Sequence, residues 1–383
     1  MNILFFAHEA QLYGSNRSLL NFITELKKLN TACFVILPQK GPLCDELEKL
    51  QIGYEIIKYY WWVSSPNITF WRQPMQFIKR LRTSLAKVRF TIKQLPKIKK
   101  TALSFNTDIV YSNSSVIWVG WVMARIIKKP HVWHIREFKD LDHNLYPDFG
   151  NWFFKKILSR SDQLIFISNA LKQHVFPKSD SNLSIIPNPV GSVSEFEIYK
   201  NQNGTDEKIF HFLIIGSIQK GKGQEDAVWA LYEVRKEIKD VRLLIAGKGD
   251  QTGLRELVQQ LNLEDVVEFL GHIDDPHSAY AKANAVLMCS KNEAFGRVTA
   301  EAMMHSLPVI GYNNGGTREI IIDNRTGYLY DSIEDLIKKM KESAKNAVRS
   351  RELGVSGWRH AKKHFTSEVC ARAIYEQIVM LQK

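Results

Sequence analysis

Cysteine is scarce in this sequence, and it does not occur in a disulfide-rich or metal-binding pattern. The 383 residues contain four cysteines, with no Cys-x-x-Cys pair and no zinc spacing: Cys33, Cys44, Cys289 and Cys370. This usage favours a reducing cytoplasm over a secreted disulfide framework. A chain of this length can bury a sizeable core without such cross-links.

Long apolar runs are missing as well. The longest, Val116 to Ile127, is interrupted by Arg125 and is shorter than the roughly 20 residues that a membrane-spanning helix needs. The apolar residues 3–7 follow no basic region, so we predict a first buried strand there and not a signal peptide. We therefore expect a protein that does not cross a membrane.

Acidic residues are absent from one long segment. The net charge is +12, and eleven lysines and arginines, Arg72 among them, lie between Glu55 and Asp108 without a single acid. Apolar residues recur every three or four positions from Phe77 to Leu95, after an aromatic stretch that includes Trp71, which predicts an amphipathic helix. The bases on its other side are Lys79, Arg80, Arg82, Lys87 and Lys93. We expect this helix to lie on an anionic membrane surface; the alternative is a helix packed on a sheet with a solvated basic face.

Short apolar strands alternate with helical patterns, such as Ser15–Leu29 and Val116–Ile127, along the whole chain. The predicted strands are Ile3–Phe6, Phe34–Leu37, Ile109–Tyr111, His131–Ile135, Leu164–Ile167, Phe210–Ile215, Arg242–Ala246, Val267–Leu270, Ala285–Cys289 and Pro308–Gly311. This alternation predicts an α/β protein with parallel sheets covered on both faces. A polar, breaker-rich stretch around residues 201–205 predicts a linker. We therefore predict doubly wound domains at residues 1–190 and 207–365, with a closing helix at 366–383 that packs back on the first.

The segment from residue 292 to 322 is the strongest candidate for a ligand site. A strand, a turn of small residues and a helix starting near Arg297 place backbone N–H groups where a phosphate could bind. Glu293 precedes this helix and Glu301 lies inside it, so two carboxylates could reach one pocket and bind sugar hydroxyls. Two ordinary surface glutamates are the alternative.

A second candidate is the glycine-rich turn from Gly216 to Gly223, directly after a predicted strand. With Lys222 it has the design of a phosphate-binding loop. It begins like a P-loop, but Gly223 stands where that motif needs Ser or Thr, so a P-loop NTPase is not expected. A tight turn with a solvated lysine is the alternative.

Two further positions follow strands of the first half. Gly14 opens a helix and lets the chain pass close to a ligand, and Ser15 could cap that helix. His134, beside Arg136, ends a strand and could bond a hydroxyl or transfer a proton; a buried structural histidine is the alternative. The pair Asp140-x-Asp142 lies in a polar loop, and we assign no metal to it.

Together these segments resemble glycosyltransferase family 4, the retaining enzymes of GT-B fold. The E-x7-E element of that family matches Glu293 and Glu301, and Pro308 and Gly315-Gly316 follow at its spacing. Residues 216–223 resemble its phosphate loop, Gly14 its N-terminal glycine loop and His134 its histidine. The resemblance implies two Rossmann-like domains facing across a cleft, with the acceptor bound by residues 1–190 and the donor by residues 207–365.

The resemblance also implies roles for individual residues. Lys222 would hold the donor diphosphate, Val298 would pack near the nucleoside and Glu301 would bind the ribose hydroxyls. The implied donor-binding set is Gly14, Gly216, Ser217, Lys222, Glu293, Ala294, Phe295, Gly296, Arg297, Val298 and Glu301, and the implied catalytic set is His134, Lys222 and Glu293. Ser217 replaces the arginine usual in the phosphate loop, and Asn16 replaces a frequent glutamate.

We therefore expect a retaining transferase that uses a nucleotide-diphosphate sugar and needs no metal or resident cofactor. The expected acceptor is a saccharide, lipid-linked and belonging to bacterial surface polysaccharide or glycan synthesis, and the expected location is the cytoplasmic face of the cell membrane. Acceptor or membrane contacts are expected from Arg136, Arg80, Arg82, Lys87 and Lys93. The alternatives are a nucleotide-sugar epimerase of the same fold, a homologue left inactive by Ser217, and a basic nucleic-acid-binding protein, for which the sequence offers no recognisable module.

Overall fold

The structure is a computed structural model that describes residues 1–66, 73–177, 182–200, 208–273 and 275–382. Trp71, Arg72 and the predicted linker residues 201–205 lie outside these ranges. The chain divides into two compact units, which we call unit 1 (Met1–Pro189 with Ser367–Lys383) and unit 2 (Val190–Thr366).

Unit 1 contains a sheet of seven parallel strands with helices between them. Its elements are β1 (Asn2–Phe6), α1 (Gly14–Lys28), β2 (Ala32–Leu37), α2 (Pro42–Lys49), β3 (Gly53–Ile56), β4 (Val63–Ser64), α3 (Pro74–Ser104), β5 (Ile109–Ser112), α4 (Val119–Ile127), β6 (His131–Ile135), α5 (Asp140–His143), β7 (Tyr146–Pro147), α6 (Asn151–Leu158), β8 (Gln163–Phe166), α7 (Asn169–Val175) and β9 (Leu183–Ile185). The strand order is β3-β2-β1-β5-β6-β8-β9, and β4 pairs with β7 in a separate antiparallel ribbon.

Unit 2 repeats this design with six parallel strands. Its elements are α8 (Val193–Tyr199), β10 (Phe210–Ile215), α9 (Gln224–Arg235), β11 (Val241–Ala246), α10 (Thr252–Gln260), β12 (Val267–Gly271), α11 (His277–Tyr280), β13 (Ala285–Met288), α12 (Arg297–Met304), β14 (Val309–Tyr312), α13 (Gly315–Ile320), β15 (Gly327–Tyr330), α14 (Ile333–Lys345) and α15 (Ala347–His364). The order is β12-β11-β10-β13-β14-β15. The last helix, α16 (Ser367–Met380), buries Cys370, Ile374 and Ile378 in the core of unit 1.

All ten predicted strands are present, each with ends shifted by no more than two residues. Their apolar side chains form one core in each unit, as expected for strands covered on both faces. The α/β class with two Rossmann-like domains is therefore confirmed. The four cysteines are buried and free. Among the described residues, no helix is both long and apolar enough to cross a bilayer.

Each sheet has one switch point, where the strand order along the chain reverses and the next strands are added on the other side of the first. It lies between β1 and β5 in unit 1 and between β10 and β13 in unit 2. In open parallel sheets, ligands bind beyond the carboxyl ends of the strands at such a point. The loops that follow these four strands are therefore the expected location of a ligand-binding site.

Helix α3 is at the predicted position, but its buried face is not the apolar stripe that an amphipathic helix usually buries. Its buried residues are Ser84, Thr91, Ile98 and Ala102, whereas Leu85 and Ile92 of the predicted apolar stripe remain 42% and 50% exposed. Arg82 and Lys93 are exposed and Lys87 is half-buried. Two residues of the apolar stripe are thus exposed together with part of the basic face, whereas Phe77, Leu81, Val88 and Leu95 are half-buried.

Arg80 does not belong to that exposed basic face. Its guanidinium lies 3.3 Å from the carboxylate of Asp148, and it also donates hydrogen bonds to the carbonyls of Pro66 and Tyr146. The side chains of Arg80 and Asp148 are 11% and 1% exposed. Its charge is therefore already paired inside unit 1, and the acceptor or membrane contact expected at this position stays a prediction.

Candidate active site

The loop after β10 owes its shape to three glycines with positive φ. Gly216 (φ +149°) and Gly221 (φ +94°) would accommodate a Cβ atom without any contact within 4 Å, so they are needed for backbone conformation and leave open space around the loop. Gly223 (φ +76°) is different, because a Cβ there would lie 2.4 Å from the Cβ of Cys289. This close approach explains why serine or threonine does not follow Lys222, and it fixes the loop against the end of β13.

A neighbouring loop supports this one, and the sequence did not reveal that role. The residues Gly247-Lys248-Gly249 after β11 run beside residues 216–218, and Ile218 N donates to Lys248 O at 2.9 Å. A Cβ at Gly247 would lie 1.7 Å from Gly216 O, and one at Gly249 would lie 2.2 Å from Ile218 O. Side chains at Gly247 and Gly249 would displace the loop after β10.

The loop after β13 contains Glu293, and its backbone packs against two more glycines, Gly315 and Gly316, at the start of α13. Gly316 N donates to Glu293 O at 2.7 Å, and a Cβ at Gly316 would lie 2.2 Å from Phe295 O. Gly315 is equally close, since its Cβ would lie 2.5 Å from Glu293 O. The Gly-Gly pair thus has a packing reason: it allows the start of α13 to contact the backbone of the Glu293 loop.

These two loops meet at the switch point of unit 2. Lys222 Nζ donates to Glu293 Oε1 at 2.6 Å, and the two side chains are 29% and 18% exposed. The ammonium and the carboxylate therefore lie together at the carboxyl edge of the sheet, still accessible to a ligand. Ser217 and Lys220 of the first loop are exposed.

Helix α12 begins at this edge with an N-terminus that no side chain caps. Its N-cap residue is Gly296 (φ +93°), which has no side chain to accept from the first-turn N–H groups. Such a terminus carries partial positive charge and suits a phosphate. Ala294 and Phe295 are buried, and the Phe295 ring packs edge-on against Phe365 at 5.6 Å. The Phe295 ring, which the family resemblance implied to line the donor, thus packs in the interior beneath its own loop. Only the backbone at Phe295 can face a ligand.

The carboxylate of Glu301 is held from two sides. Arg297 Nε donates to Glu301 Oε1 at 2.6 Å, and Tyr280 Oη donates to Oε2 at 3.1 Å. Burial, with Glu301 as a second cause, raises the pKa of Tyr280 well above its usual range, so the phenol remains a donor. A carboxylate has about four acceptor positions, so Glu301 retains capacity for ligand hydroxyls. Val298 is half-buried one residue after Arg297. Tyr280 lies 21 residues before Glu301 in the sequence, and no local motif marks it.

In unit 1, His134 is fully buried. Its Nδ1 lies 2.5 Å from the hydroxyl of Tyr111, and among the described residues its Nε2 has no hydrogen-bond partner. Burial, followed by the charge of Arg136, lowers the pKa of His134 well below its usual value, so the ring is neutral. In this conformation the imidazole does not reach a surface, as the structural alternative predicted, yet one nitrogen keeps an unused hydrogen-bonding capacity.

Arg136 is 6% exposed, which excludes a membrane contact in this conformation. Its Nε donates to Asn113 Oδ1 at 2.8 Å, and an Nη donates to Asn188 Oδ1. Asn113 in turn donates to Ser15 O at 3.3 Å, so it connects Arg136 to the first turn of α1. The polar residues Asn113, Ser114 and Ser115 directly follow β5 at the switch point, and this was a signal that could have identified Asn113.

The start of α1 lies at the same edge, and Ser15 does not have the capping role predicted for it. Helix α1 begins at the exposed Gly14, with Tyr13 as N-cap residue and no side-chain cap, so Ser15 does not cap it. The fully buried Asn16 instead donates to the carbonyls of Glu9 and Gln11 and holds the glycine loop in place. Gly14 is therefore located where a ligand could approach the chain.

The acidic pair Asp140 and Asp142 lies in the short helix α5, where a loop was expected, and it is engaged with protein donors. Asp140 Oδ1 lies 2.9 Å from His174 Nε2, and Asp142 Oδ2 accepts from Phe138 N at 2.9 Å. Burial raises the pKa of Asp142. Within the part of the chain that the structure describes, no group of three or more His, Cys, Asp or Glu residues is arranged to hold a metal ion.

Comparisons with known proteins identify the family of the chain. The family model described as "Glycosyltransferase Family 4" matches residues 13–191, and the model "Glycosyl transferases group 1" matches residues 195–355. The chain is 30% identical over 179 residues to an N-acetyl-alpha-D-glucosaminyl L-malate synthase of Bacillus anthracis, which is 45% of this chain and 47% of that one. It is 27% identical over 241 residues to the GPI3 subunit of a phosphatidylinositol N-acetylglucosaminyltransferase of Saccharomyces cerevisiae, 57% of this chain and 51% of that one. The matches thus span about half the length of these curated relatives.

Solved structures resemble the whole chain. The Anabaena protein HepE in complex with UDP is 19% identical and covers 99% of this chain and 100% of its own, with a TM-score of 0.80. A sucrose-phosphate synthase of Thermosynechococcus elongatus is 18% identical, covers 100% and 99%, and has a TM-score of 0.76. At such identities the likeness establishes the fold.

Proposed function

The chain belongs to the group 1 glycosyltransferases of family 4, and from this premise we propose that it moves a sugar from a nucleotide-diphosphate sugar to an acceptor with retention of the anomeric configuration. The observation that carries this proposal is the meeting of Lys222 and Glu293, 2.6 Å apart, beside the uncapped start of α12. A cation and a row of backbone N–H groups suit a diphosphate, and the adjacent carboxylate suits a sugar hydroxyl.

In the proposed step, the bond between the anomeric carbon and the leaving phosphate oxygen breaks while the acceptor oxygen bonds to the same face of the sugar. The acceptor proton passes to the leaving phosphate. Negative charge grows on the diphosphate, where Lys222 and the N-terminus of α12 stabilise it. Glu293 orients the sugar, and Glu301 binds the ribose hydroxyls. A catalytic role of His134 stays a prediction, because its imidazole is fully buried in unit 1.

This arrangement assigns the charge stabilisation to protein groups, and we propose that the reaction needs no metal ion and no resident cofactor. A lysine about 4 Å from a phosphate is worth about 4 kcal/mol at an effective dielectric constant near 20. If turnover persists undiminished after dialysis against EDTA, this part of the proposal stands. A loss that Mg²⁺ or Mn²⁺ restores would refute it.

We propose a lipid-linked saccharide at an anionic membrane surface as the acceptor, of the kind used in bacterial surface polysaccharide or glycan synthesis. Support comes from α3, where Leu85 and Ile92 are exposed next to Arg82 and Lys93. Exposed apolar side chains beside bases bind anionic bilayers, each base near the surface adding about 1 kcal/mol. The yeast relative carries phosphatidylinositol in its name, as its own substrate.

The donor is tested by saturation-transfer NMR against UDP-, GDP-, ADP- and dTDP-sugars, followed by determination of the product anomer. A retained anomeric configuration in a new glycoside supports the proposal. Conversion of the donor to an epimer without any acceptor would identify the epimerase instead, and no binding to any donor would indicate an inactive homologue.

The membrane surface is tested separately by co-sedimentation with vesicles that contain phosphatidylglycerol. The double variant Leu85→Ser/Ile92→Ser is expected to bind less to vesicles and to remain folded, because both side chains are already about half exposed. Equal binding of wild type to neutral and anionic vesicles would contradict the basic surface.

A further inference from the structure

Unit 1 contains an apolar cavity of about 580 Å³ outside the loops described above. It lies between α3, α4 and α6, and its lining is aromatic and aliphatic throughout, including Trp62, Val88, Trp118, Trp121, Trp152 and Phe153. The volume falls within the roughly 300–1,000 Å³ of sites for small ligands. A lining without charged side chains offers no partner for a sugar or a nucleotide, and it suits a hydrocarbon.

The walls of this cavity are fixed, so it is not a gap between loose helices. The hydrogen bonds of Arg80 join α3 to the carbonyls of Pro66 and Tyr146, and its ion pair joins α3 to Asp148, just before α6. Trp62 is 5% exposed and donates from Nε1 to Ser115 O at 2.8 Å. The paired Arg80 thus has a positioning role at this cavity.

The surroundings of the cavity are positively charged. Helices α3, α4 and α6 contain no acidic residue. Lys156 Nζ lies 4.5 Å from the centroid of the Trp152 ring, which is 72% exposed, and the Arg125 guanidinium lies 6.0 Å from that of Trp121. Arg89 follows the lining residue Val88 and is exposed. A hydrocarbon chain that carries a phosphate would therefore find a base for its head group.

The back wall of the cavity leads to the strands whose ends form the candidate site of unit 1. Trp62 stacks on Trp133 of β6, with ring centroids 5.8 Å apart and planes within 12°. Trp133 Nε1 donates to Ser114 O at 2.7 Å, and Ser114 and Ser115 both donate to the carboxylate of Glu137. Packed side chains therefore connect the back wall of the cavity to the carboxyl ends of β5 and β6.

We propose that this cavity holds the hydrocarbon chain of the phosphate-bearing lipid that carries the acceptor sugar. The inference rests on the proposed transfer to a lipid-linked acceptor and adds where the lipid is bound. Bulk bilayer lipid is the rival source, and it does not account for an aromatic cavity beside the strands whose ends form the candidate site of unit 1. The hydrocarbon chain would be shielded from water inside the cavity. The lipid phosphate would pair with bases such as Lys156 or Arg89, and the sugar would extend towards β5 and β6.

The full chain is titrated calorimetrically with farnesyl phosphate, farnesol and phenyl phosphate, in the absence of vesicles and donor. Farnesyl phosphate is expected to bind at one site per chain with a negative heat-capacity change, the mark of apolar burial. Farnesol is expected to bind more weakly, and phenyl phosphate at least about tenfold more weakly. Equal affinity for phenyl phosphate, or no saturable binding of farnesyl phosphate, would overturn the proposal.

The variant Val122→Trp fills the cavity from α4, and it is expected to weaken farnesyl phosphate binding at least about tenfold. The matched control Val348→Trp adds the same ring at a 66% exposed position of α15 and should bind like wild type. If Val122→Trp does not fold, Val122→Gln removes apolar lining without added bulk, and it should also bind more weakly. If the folded cavity variant bound farnesyl phosphate as tightly as wild type, the hydrocarbon would bind elsewhere and the assignment would be refuted.

Donor binding by the same preparation separates this inference from the proposed function. Farnesyl phosphate binding without any nucleotide-sugar binding would leave the cavity assigned and remove the transferase proposal. Donor binding and transfer to an acceptor without a lipid, in a chain that does not bind farnesyl phosphate, would remove the cavity and leave the transferase. Binding only to whole vesicles, with Val122→Trp unaffected, would identify bulk lipid and overturn the acceptor assignment.

Discussion

Replacing Lys222 by alanine isolates the charge that we propose to act on the leaving diphosphate. The ammonium is held 2.6 Å from Glu293 Oε1 and is 29% exposed, so it is positioned before a ligand arrives. About 4 kcal/mol between a lysine and a phosphate corresponds to roughly a thousandfold in kcat/KM. We therefore expect Lys222→Ala to lower transfer by about that factor, measured as release of the nucleoside diphosphate with acceptor present.

The fold should tolerate this change, because a partly exposed ion pair contributes only about 0–1 kcal/mol to stability. Lys220→Ala in the same loop is the matched control and should keep its activity, since Lys220 is exposed and makes no contact with Glu293 in the structure. Lys222→Arg should recover part of the activity. If Lys222→Met/Glu293→Gln were as active as wild type, Lys222 would only neutralise Glu293, and its role at the diphosphate would be refuted.

Three further predictions concern stability and the support of the site. Arg80→Ala should lower the free energy of unfolding by about 3 kcal/mol in urea denaturation, because it leaves the buried Asp148 carboxylate without its cation. Gly316→Ala should weaken donor binding in calorimetry, since its Cβ would lie 2.2 Å from Phe295 O and must displace the Glu293 loop. His131 has a pKa lowered to about 3 by burial and by Arg125, so unfolded chains bind its proton first below pH 6.5. Stability should therefore fall from pH 6.5 towards pH 3, by about 1.4 kcal/mol per pH unit for this group, and His131→Asn should reduce that slope.

Two of these have a control variant in the same chain, and the third has an outcome that would contradict it. Arg82→Ala, on the exposed side of α3, should change stability by less than about 0.5 kcal/mol, and an equal loss in both arginine variants would contradict the ion-pair argument. Gly253→Ala, where a Cβ would meet nothing within 4 Å, should leave donor binding intact. An unchanged pH slope in His131→Asn would show that other groups account for acid destabilisation.

The sequence predicted the parts of the fold that local chemistry dictates. Apolar, β-branched runs such as Phe210–Ile215 and His131–Ile135 have the same bounds in the structure, because buried parallel strands need such residues on both faces. The strands that were not predicted, β3, β4, β7, β9 and β15, are short or lie at sheet edges, where the apolar pattern is weak. Edge position depends on the whole sheet, which a local window does not contain.

The candidate site was predictable where one motif contains all its parts, and not where distant residues supply them. Glycine spacing after a strand marked the loops of Lys222 and Glu293, because tight turns and close approaches require glycine. Tyr280, which holds Glu301, and Asn188, which holds Arg136, come from other segments. Their contacts arise from the order of the strands, so no spacing along the chain could reveal them.

Helix α3 shows how a correct periodicity can leave the buried face undecided. The period of the apolar residues gave the helix, yet Ser84 and Thr91 are buried, while Leu85 and Ile92 are exposed. Full burial of such an aliphatic side chain is worth about 1.5–3 kcal/mol, and exposures of 42% and 50% mean that unit 1 alone gains roughly half of it. The exposure is accounted for if the stripe has a second apolar partner outside the chain. Val88 belongs to the same stripe and lines the tryptophan-rich cavity, so one turn of α3 could contact a bilayer and the lipid drawn from it at the same time.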